Sequence, residues 1–147
     1  MDGRTSAQIV ADVVAALQAS ASITGTVPSA KIVHSRVPPI GDGVLPYIIV
    51  FAHRETEDWI GYHQYPIMRV LTEVAVQLYV TAATDAALET ALDLLDTVKQ
   101  VLYTATVFQT DAEKVDTCDT LRDLAGDGQR RTAVGQLLFR VRHQRAY

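Results

Sequence analysis

Apolar positions recur along the chain with two different periods, and the switches between them mark out its elements. Ile9, Val10, Val13, Val14 and Leu17 fall on one stripe at helical spacing, which predicts an amphipathic helix over residues 6–18. Thr5 followed by Gln8 fits a capping box, in which each side chain satisfies an orphan amide of the first turn. The small, polar stretch "ASASITGTVPSA", broken by Gly25 and Pro28, predicts a loop, and "KIVHSRV" a short strand. "PPIGDGVLP" is bounded by prolines, which supply no backbone donor, so a ladder cannot run through it. "YIIVFAHRE" begins apolar on both faces, as a central strand covered by helices would be, and two helices can cover one face of the sheet. "MRVLTEVAVQLYV" alternates: Met68, Val70, Val74, Val76, Leu78 and Val80 share one parity, whereas Arg69, Glu73 and Gln77 take the other.

Between those two strands, "TEDWIGYHQYP" predicts a loop of about eleven residues, longer than usual hairpin connections of about 2–5 residues. A second amphipathic helix is predicted over residues 85–102, with Leu88, Leu92, Leu95, Val98 and Leu102 on its apolar stripe and Glu89, Asp93 and Asp96 away from it. An imperfect strand around "KVDTCDTLRDL", a turn at Gly126-Asp127-Gly128 and the strand "TAVGQLLFRVRHQ" close the chain. The element order is α-β-β-β-α-β-β. It implies an α+β fold in a single domain over 1–147, a mainly antiparallel sheet of four to five strands packed with two helices.

Composition narrows the functions such a fold can carry. The chain has 147 residues with 48% hydrophobic and 20% charged, the balance of a folded globular protein. Thirteen Lys plus Arg against seventeen Asp plus Glu give a net charge of −4, which argues against a broad grip on nucleic-acid phosphates. The lone Cys118 excludes an intrachain disulfide, and "MDGRTSAQIVADVV" lacks the shape of a signal peptide, so a reducing cytoplasm is the expected place of synthesis. No apolar run reaches the roughly 20 residues needed to cross a bilayer, so no membrane partner is expected.

Candidate chemistry is sparse. His53, Glu55 and Glu57 share one face of a regular strand, with Asp58 adjacent, which makes a small metal-dependent enzyme one alternative. Solvated charges at a strand end are the simpler reading. Cys118 and His143 on neighbouring strands suggest a thiol and a base, but nothing supplies an oxyanion hole or an orienting third group. No catalytic residue, metal ligand or cofactor is assigned. The aromatic set Trp59, Tyr62 and Tyr65 is costly to leave on a loop tip and points to a partner surface. Acidic residues recur over 111–127, Asp116, Asp119 and Asp123 among them. Arginines dominate the last strand, so pairing either across strands or between subunits follows.

With "VHSRVPP", "LPYIIVF", "RVLTEVAVQLYV", "LETALDLLDTVKQVL" and "GQLLFRVRHQRAY" in this order behind an N-terminal helix, the chain resembles the tail terminator family of long-tailed bacteriophages. This group includes minor tail protein U and related tail completion proteins. The positions that carry the resemblance include Arg36, Pro39, Leu45, Pro46 and Arg69. It implies an α+β protomer that assembles, as a hexameric ring, on the head-proximal end of the tail tube. The ring would stop tube polymerisation and present the surface that joins tail to head. Implied partners are further copies of the chain, the tail tube protein and a head-tail connector protein, with DNA passing through without specific binding. The implied location is the tail-neck junction of a virion assembled in the bacterial host cytoplasm. Another connector or neck completion protein is the alternative within the same structural class. Expected interface residues are Trp59, Tyr62 and Tyr65 against a neighbour, Arg36 and Arg69 at the ring or tube face, and Asp116, Asp119 and Asp123 against arginines of a neighbour.

Overall fold

The computed structural model describes residues 5–37, 46–59, 67–105, 108–110, 113–127 and 130–146. Helix α1 (Ser6–Gln18) starts where the capping box predicts: the Thr5 hydroxyl accepts from the Gln8 amide at 3.2 Å, and the Gln8 side chain accepts from the Thr5 amide at 2.8 Å. Its buried stripe is Ile9, Val10, Val13 and Leu17. The following stretch is not all loop, because a one-turn helix α2 (Ala21–Thr24) buries Ile23 and a 3-10 turn spans Ser29–Lys31.

The strands are β1 (Ile32–His34), β2 (Tyr47–Trp59), β3 (Ile67–Ala82), β4 (Gln109–Thr110), β5 (Glu113–Asp127) and β6 (Arg130–Ala146). They form one sheet in the order β1-β2-β3-β6-β5-β4, so the described residues hold six strands rather than four or five. The additional strand is the two-residue β4, too short to give a periodic signal. The sheet is antiparallel except at one edge, where β1 runs parallel to β2 with Ile32 opposite Ile48 and His34 opposite Val50. Residues 35–46 separate these two strands, and a connection of about a dozen residues is what a parallel pair requires. β2 also continues through Trp59, pairing Glu57 with Val70 and Trp59 with Met68. Four residues of the expected aromatic loop therefore belong to the ladder.

The predicted second helix is two helices, α3 (Asp85–Leu92) and α4 (Leu94–Thr104), separated at Asp93. The apolar stripe survives the break, and Leu88, Leu92, Leu95, Val98 and Leu102 are all buried. These helices and α1 cover one face of the sheet, packing on Ile48, Val50, Val74, Val76, Leu78, Leu137, Phe139 and Val141. Phe108, just beyond α4, meets the edge of Phe139 with ring centroids 5.5 Å apart. Gly135 on β6 lies under the break between α3 and α4. A Cβ there would stand 2.3 Å from Leu95 Cδ1 and 3.0 Å from Leu92 Cδ2, so the close seating of these helices on the sheet depends on a glycine.

The α+β architecture is as expected, with the described helices on one face of the sheet. Tyr47, Ile49 and Phe51 face away from the helices, and Ile49 is fully buried there between its register neighbours Val33 and Gln77. The imperfection anticipated in "KVDTCDTLRDL" is a register shift between Val115 and Cys118. Asp127 pairs with Arg130, in keeping with the predicted hairpin, whose turn residues 128–129 lie outside the described residues.

Candidate interaction surface

The face of the sheet opposite the helices is built from alternate residues of the long strands. On β3 these are Arg69, Leu71, Glu73, Ala75, Gln77 and Tyr79; on β6 they include Val134, Gln136, Leu138, Arg140 and Arg142. Its upper part is a half-buried mosaic. Tyr79 donates its hydroxyl to Gln77 Oε1 at 2.8 Å, and Gln77 Nε2 donates to Gln136 Oε1 at 2.7 Å. Burial beneath neighbouring side chains raises the Tyr79 phenol above its ordinary pKa, because the phenolate would lose solvation.

The lower part of that face is arginine-rich for a specific geometric reason. The β2–β3 register shifts between Ala52 and Arg54, leaving His53 as the extra residue of a bulge. Above the bulge odd-numbered β2 residues lie on the helix-free face; below it even-numbered ones do, since Arg54 pairs with Glu73 and Thr56 with Leu71. Glu55 and Glu57 consequently turn to the helix side, opposite Thr72 and Val70. The face expected to be shared by His53, Glu55 and Glu57 is that of a regular strand, and the bulge at His53 interrupts that regularity. No group of three or more His, Cys, Asp and Glu side chains able to hold a metal ion occurs among the described residues.

Arg36, exposed just past β1, donates to the Ala52 carbonyl beside the bulge and lies over the Phe51 ring, 5.1 Å from its centroid. Arg140 Nε donates to Glu73 Oε1 at 2.9 Å. Arg69 is exposed on β3, in register with Asp58 and Gln144. The helix-free face thus carries Arg36, Arg54, Arg69, Arg140 and Arg142 together with Glu73, and Asp58, Asp119 and Asp123 hold register positions on the same face, so its charge is mixed. On the helix side the exposed charges of α3 and α4 are mostly acidic. Asp85, Glu89, Asp93 and Asp96 form an exposed stripe along α3 and α4, joined by Glu55 and Glu57 and by Asp12 of α1. Between α1 and α4 runs an open groove of about 520 Å³, lined by Asp12, Ala16, Val101 and Thr104 among others.

The remaining expected site residues are dispersed. Trp59 ends β2 opposite Met68, while Tyr62 and Tyr65 lie outside the described residues. Asp119 and Asp123 stand in register with Leu138 and Val134 near the far edge of the sheet, and Asp116 falls within the β5 irregularity. Cys118 stands in register with Phe139, four positions along β6 from His143. His143 is fully buried, with Nε2 2.9 Å from Thr72 Oγ1, and belongs to a polar chain that reaches Glu55 through Ser6. The faces taken by Arg54, Glu55 and Glu57 were missed from sequence because the parity of β2 changes at a bulge.

No protein-family model matches the chain, and no curated protein matches it. Among solved structures, the chain is similar to one from a structure titled "Virion of native gene transfer agent (GTA) particle", with a TM-score of 0.62 and 20% sequence identity. The match covers 94% of this chain and 96% of that one. At this identity the likeness is one of fold.

Proposed function

We propose that the protein is a virion structural component of a phage-like particle. It acts as a tail terminator, a single-domain subunit of a ring that caps the head-proximal end of the tail tube. The observation that carries this reading is the near-complete fold match to a chain of a gene transfer agent virion, over 94% of this chain and 96% of that one. The order of elements that resembles tail terminators gives it its finer form.

Such a ring works through steric fit and interfaces alone. Head-to-tail contacts close when the rotation between neighbours divides a full turn, and six copies are proposed. One face of the ring seats on the last ring of tail tube protein without templating another, while the other face receives a head-tail connector protein. The net charge of −4 disfavours tight binding of the DNA that passes through. Trp59, Tyr62 and Tyr65 are proposed at the contact with a neighbour, Arg36 and Arg69 at the ring or tube face, and Asp116, Asp119 and Asp123 against arginines of a neighbour.

The test is to mix purified protein with purified tail tubes and with portal-connector complexes, then image both by electron microscopy. A hexameric ring on one end of the tube, with loss of further tube growth, is the expected result. Binding to the connector complex without tube capping would move the protein to the head side of the neck. Binding to neither would overturn the structural reading.

A further inference from the structure

The sheet has a stepped outline, and from it we infer that neighbouring copies meet edge to edge, with β1 of one copy pairing antiparallel to the outer edge of β5 of the next. This joint rests on the ring reading and supplies the strands that hold the ring together.

Among the described residues, both edges of the sheet are open over part of their length. On its outer side β5 is paired only at Glu113 and Lys114, by the two-residue β4, and it runs on to Asp127 with β6 alone beside it. Alternate residues of such an edge turn their backbone N–H and C=O outward, which makes it a template for another strand. At the opposite edge β1 pairs only with β2, and covers only Ile48, Ile49 and Val50 of it.

The registers show that these two steps fit each other. Ile48, Ile49 and Val50 lie in line with Leu78, Gln77 and Val76, then with Gly135, Gln136 and Leu137, and then with Arg122, Leu121 and Thr120. β1 therefore stands at the level where β5 is open. β4 lies beside Lys114, in line with Arg142, Leu71 and Thr56, the level at which β1 no longer covers β2. A second copy set beside the first at the same level fills both steps at once. β5 runs with β3 and against β2 and β1, so a neighbour rotated about an axis along the strands presents β1 antiparallel to β5, with the helices of both copies on one side. The contact joins two different edges, so it propagates in one direction and closes as a ring, which removes both open edges.

The residues brought together favour this occupant. At equal level Ile32, Val33 and His34 meet Arg122, Leu121 and Thr120, with no like charges opposed. Asp119 is in line with Leu138, Ala75 and Phe51, and Phe51 is the ring over which Arg36 lies, so the joint sets Arg36 of one copy and Asp119 of the next at one level of the helix-free face. Two β5 edges paired about a two-fold axis at Leu121 would instead set Asp119 against Asp123, and about Arg122 would set that arginine against itself. The large hydrophobic side chains exposed among the described residues also stand beside these edges. Val37, 67% exposed, follows Arg36 at one of them. Tyr103, 41% exposed, meets Phe139, which is in register with Cys118 at the other.

Disulfide trapping tests the joint. Val33→Cys and Leu121→Cys are introduced together and singly in a Cys118→Ala background, and each variant is compared with the unaltered chain by far-UV circular dichroism and native mass spectrometry. Within one chain the two positions are four strand spacings apart, about 19 Å, far beyond the roughly 4.4–6.8 Å between Cα atoms that a disulfide spans. Any bond between them therefore links two copies. On oxidation the double variant should give a ladder of linked chains on a non-reducing gel that ends at the size of the closed ring, and each single variant should stay unlinked. Dimers from Leu121→Cys alone would show β5 paired with β5 about a two-fold axis and would overturn the joint. Rings without a ladder, when Val33→Cys is combined in turn with Asp119→Cys, Leu121→Cys and Asp123→Cys to allow a shift of two residues either way, would overturn it too and leave the ring reading standing. An unaltered chain that forms no ring, free or on tube ends, would remove the ring reading and this joint together. If the double variant fails to fold, His34→Cys with Thr120→Cys, paired on the opposite face at the same level, replaces it and is read in the same way.

Discussion

Thr72 Oγ1 and His143 Nε2 lie 2.9 Å apart between two fully buried side chains on neighbouring strands. The proton arrangement follows from the donors available. Ser6 uses its one hydroxyl proton toward Glu55 Oε1 at 2.5 Å, so Thr72, 3.2 Å from Ser6 Oγ, must donate to it. The Thr72 proton is then committed, and His143 must donate from Nε2. The expected outcome is a protonated Nε2 in nitrogen-15 NMR of the imidazole. Thr72→Val should cost about 1–3 kcal/mol in urea unfolding, because it strands the imidazole donor. Adding His143→Leu should cost less than the sum of the single changes, with a coupling of about 0.5–3 kcal/mol.

Gly135 gives a second expected outcome. Gly135→Ala places a methyl group 2.3 Å from Leu95 Cδ1, in a layer where both Leu92 and Leu95 are buried. Overpacking of this kind should lower stability by about 1–3 kcal/mol. Leu95→Ala removes the colliding group at its own cavity cost of about 2–5 kcal/mol. In that background Gly135→Ala should be close to neutral in chemical denaturation, and an equal penalty in both backgrounds would refute the packing account.

What the sequence discloses follows from how local each determinant is. The α1 stripe and the Thr5–Gln8 cap are read from residues within a few turns, and both are found. The leucine stripe of residues 88–102 predicts burial correctly but not the break at Asp93, because a stripe running across one tight turn looks the same as an unbroken helix. The parallel pairing of β1 with β2 and the bulge at His53 depend on which strand lies alongside, and neither leaves a period of its own. The candidate surface was legible in its residue types: Arg36 and Arg69 share the helix-free face with other arginines. Its sidedness was hidden, since a fixed alternation through "FAHRETED" puts Glu55 and Glu57 on the wrong face.

Tyr79 predicts a response to alkaline pH. Its folded-state pKa is raised above the ordinary value of 10.0 by burial, so the folded protein holds the phenol proton more tightly than the unfolded chain does. This contribution is complete below pH 10.0 and is lost as pH rises through the folded-state pKa. Between pH 10.0 and the folded-state pKa the unaltered chain should therefore lose stability faster than Tyr79→Phe, which has no phenol to ionise. Ultraviolet titration of the tyrosines, paired with unfolding curves at each pH, measures both sides. Parallel stability profiles for the two proteins would contradict the assignment.

The bulge makes the least intuitive prediction, because a deletion inside a long strand normally turns the remaining side chains to the wrong face. His53 is the extra residue between Ala52, opposite Val74, and Arg54, opposite Glu73, and its side chain is exposed. Removing it leaves both pairs in register, with Arg54 still on the helix-free face and Glu55 still beside Ser6. Deletion of His53 should thus cost about 1 kcal/mol or less, the scale of a change away from the core. Deletion of Val76 is the control. It lies on central β3 between β2 and β6, and removing it must either break two ladders or send one end of the Val70–Val80 core row to the other face. Thermal unfolding of the two deletions separates the cases: the His53 deletion should keep a cooperative transition near that of the unaltered chain, and the Val76 deletion should have none. If losing His53 also abolished folding, the extra residue would have to be holding the Arg36–Ala52 contact and the twist of β2, and could not be the silent insertion that the register describes.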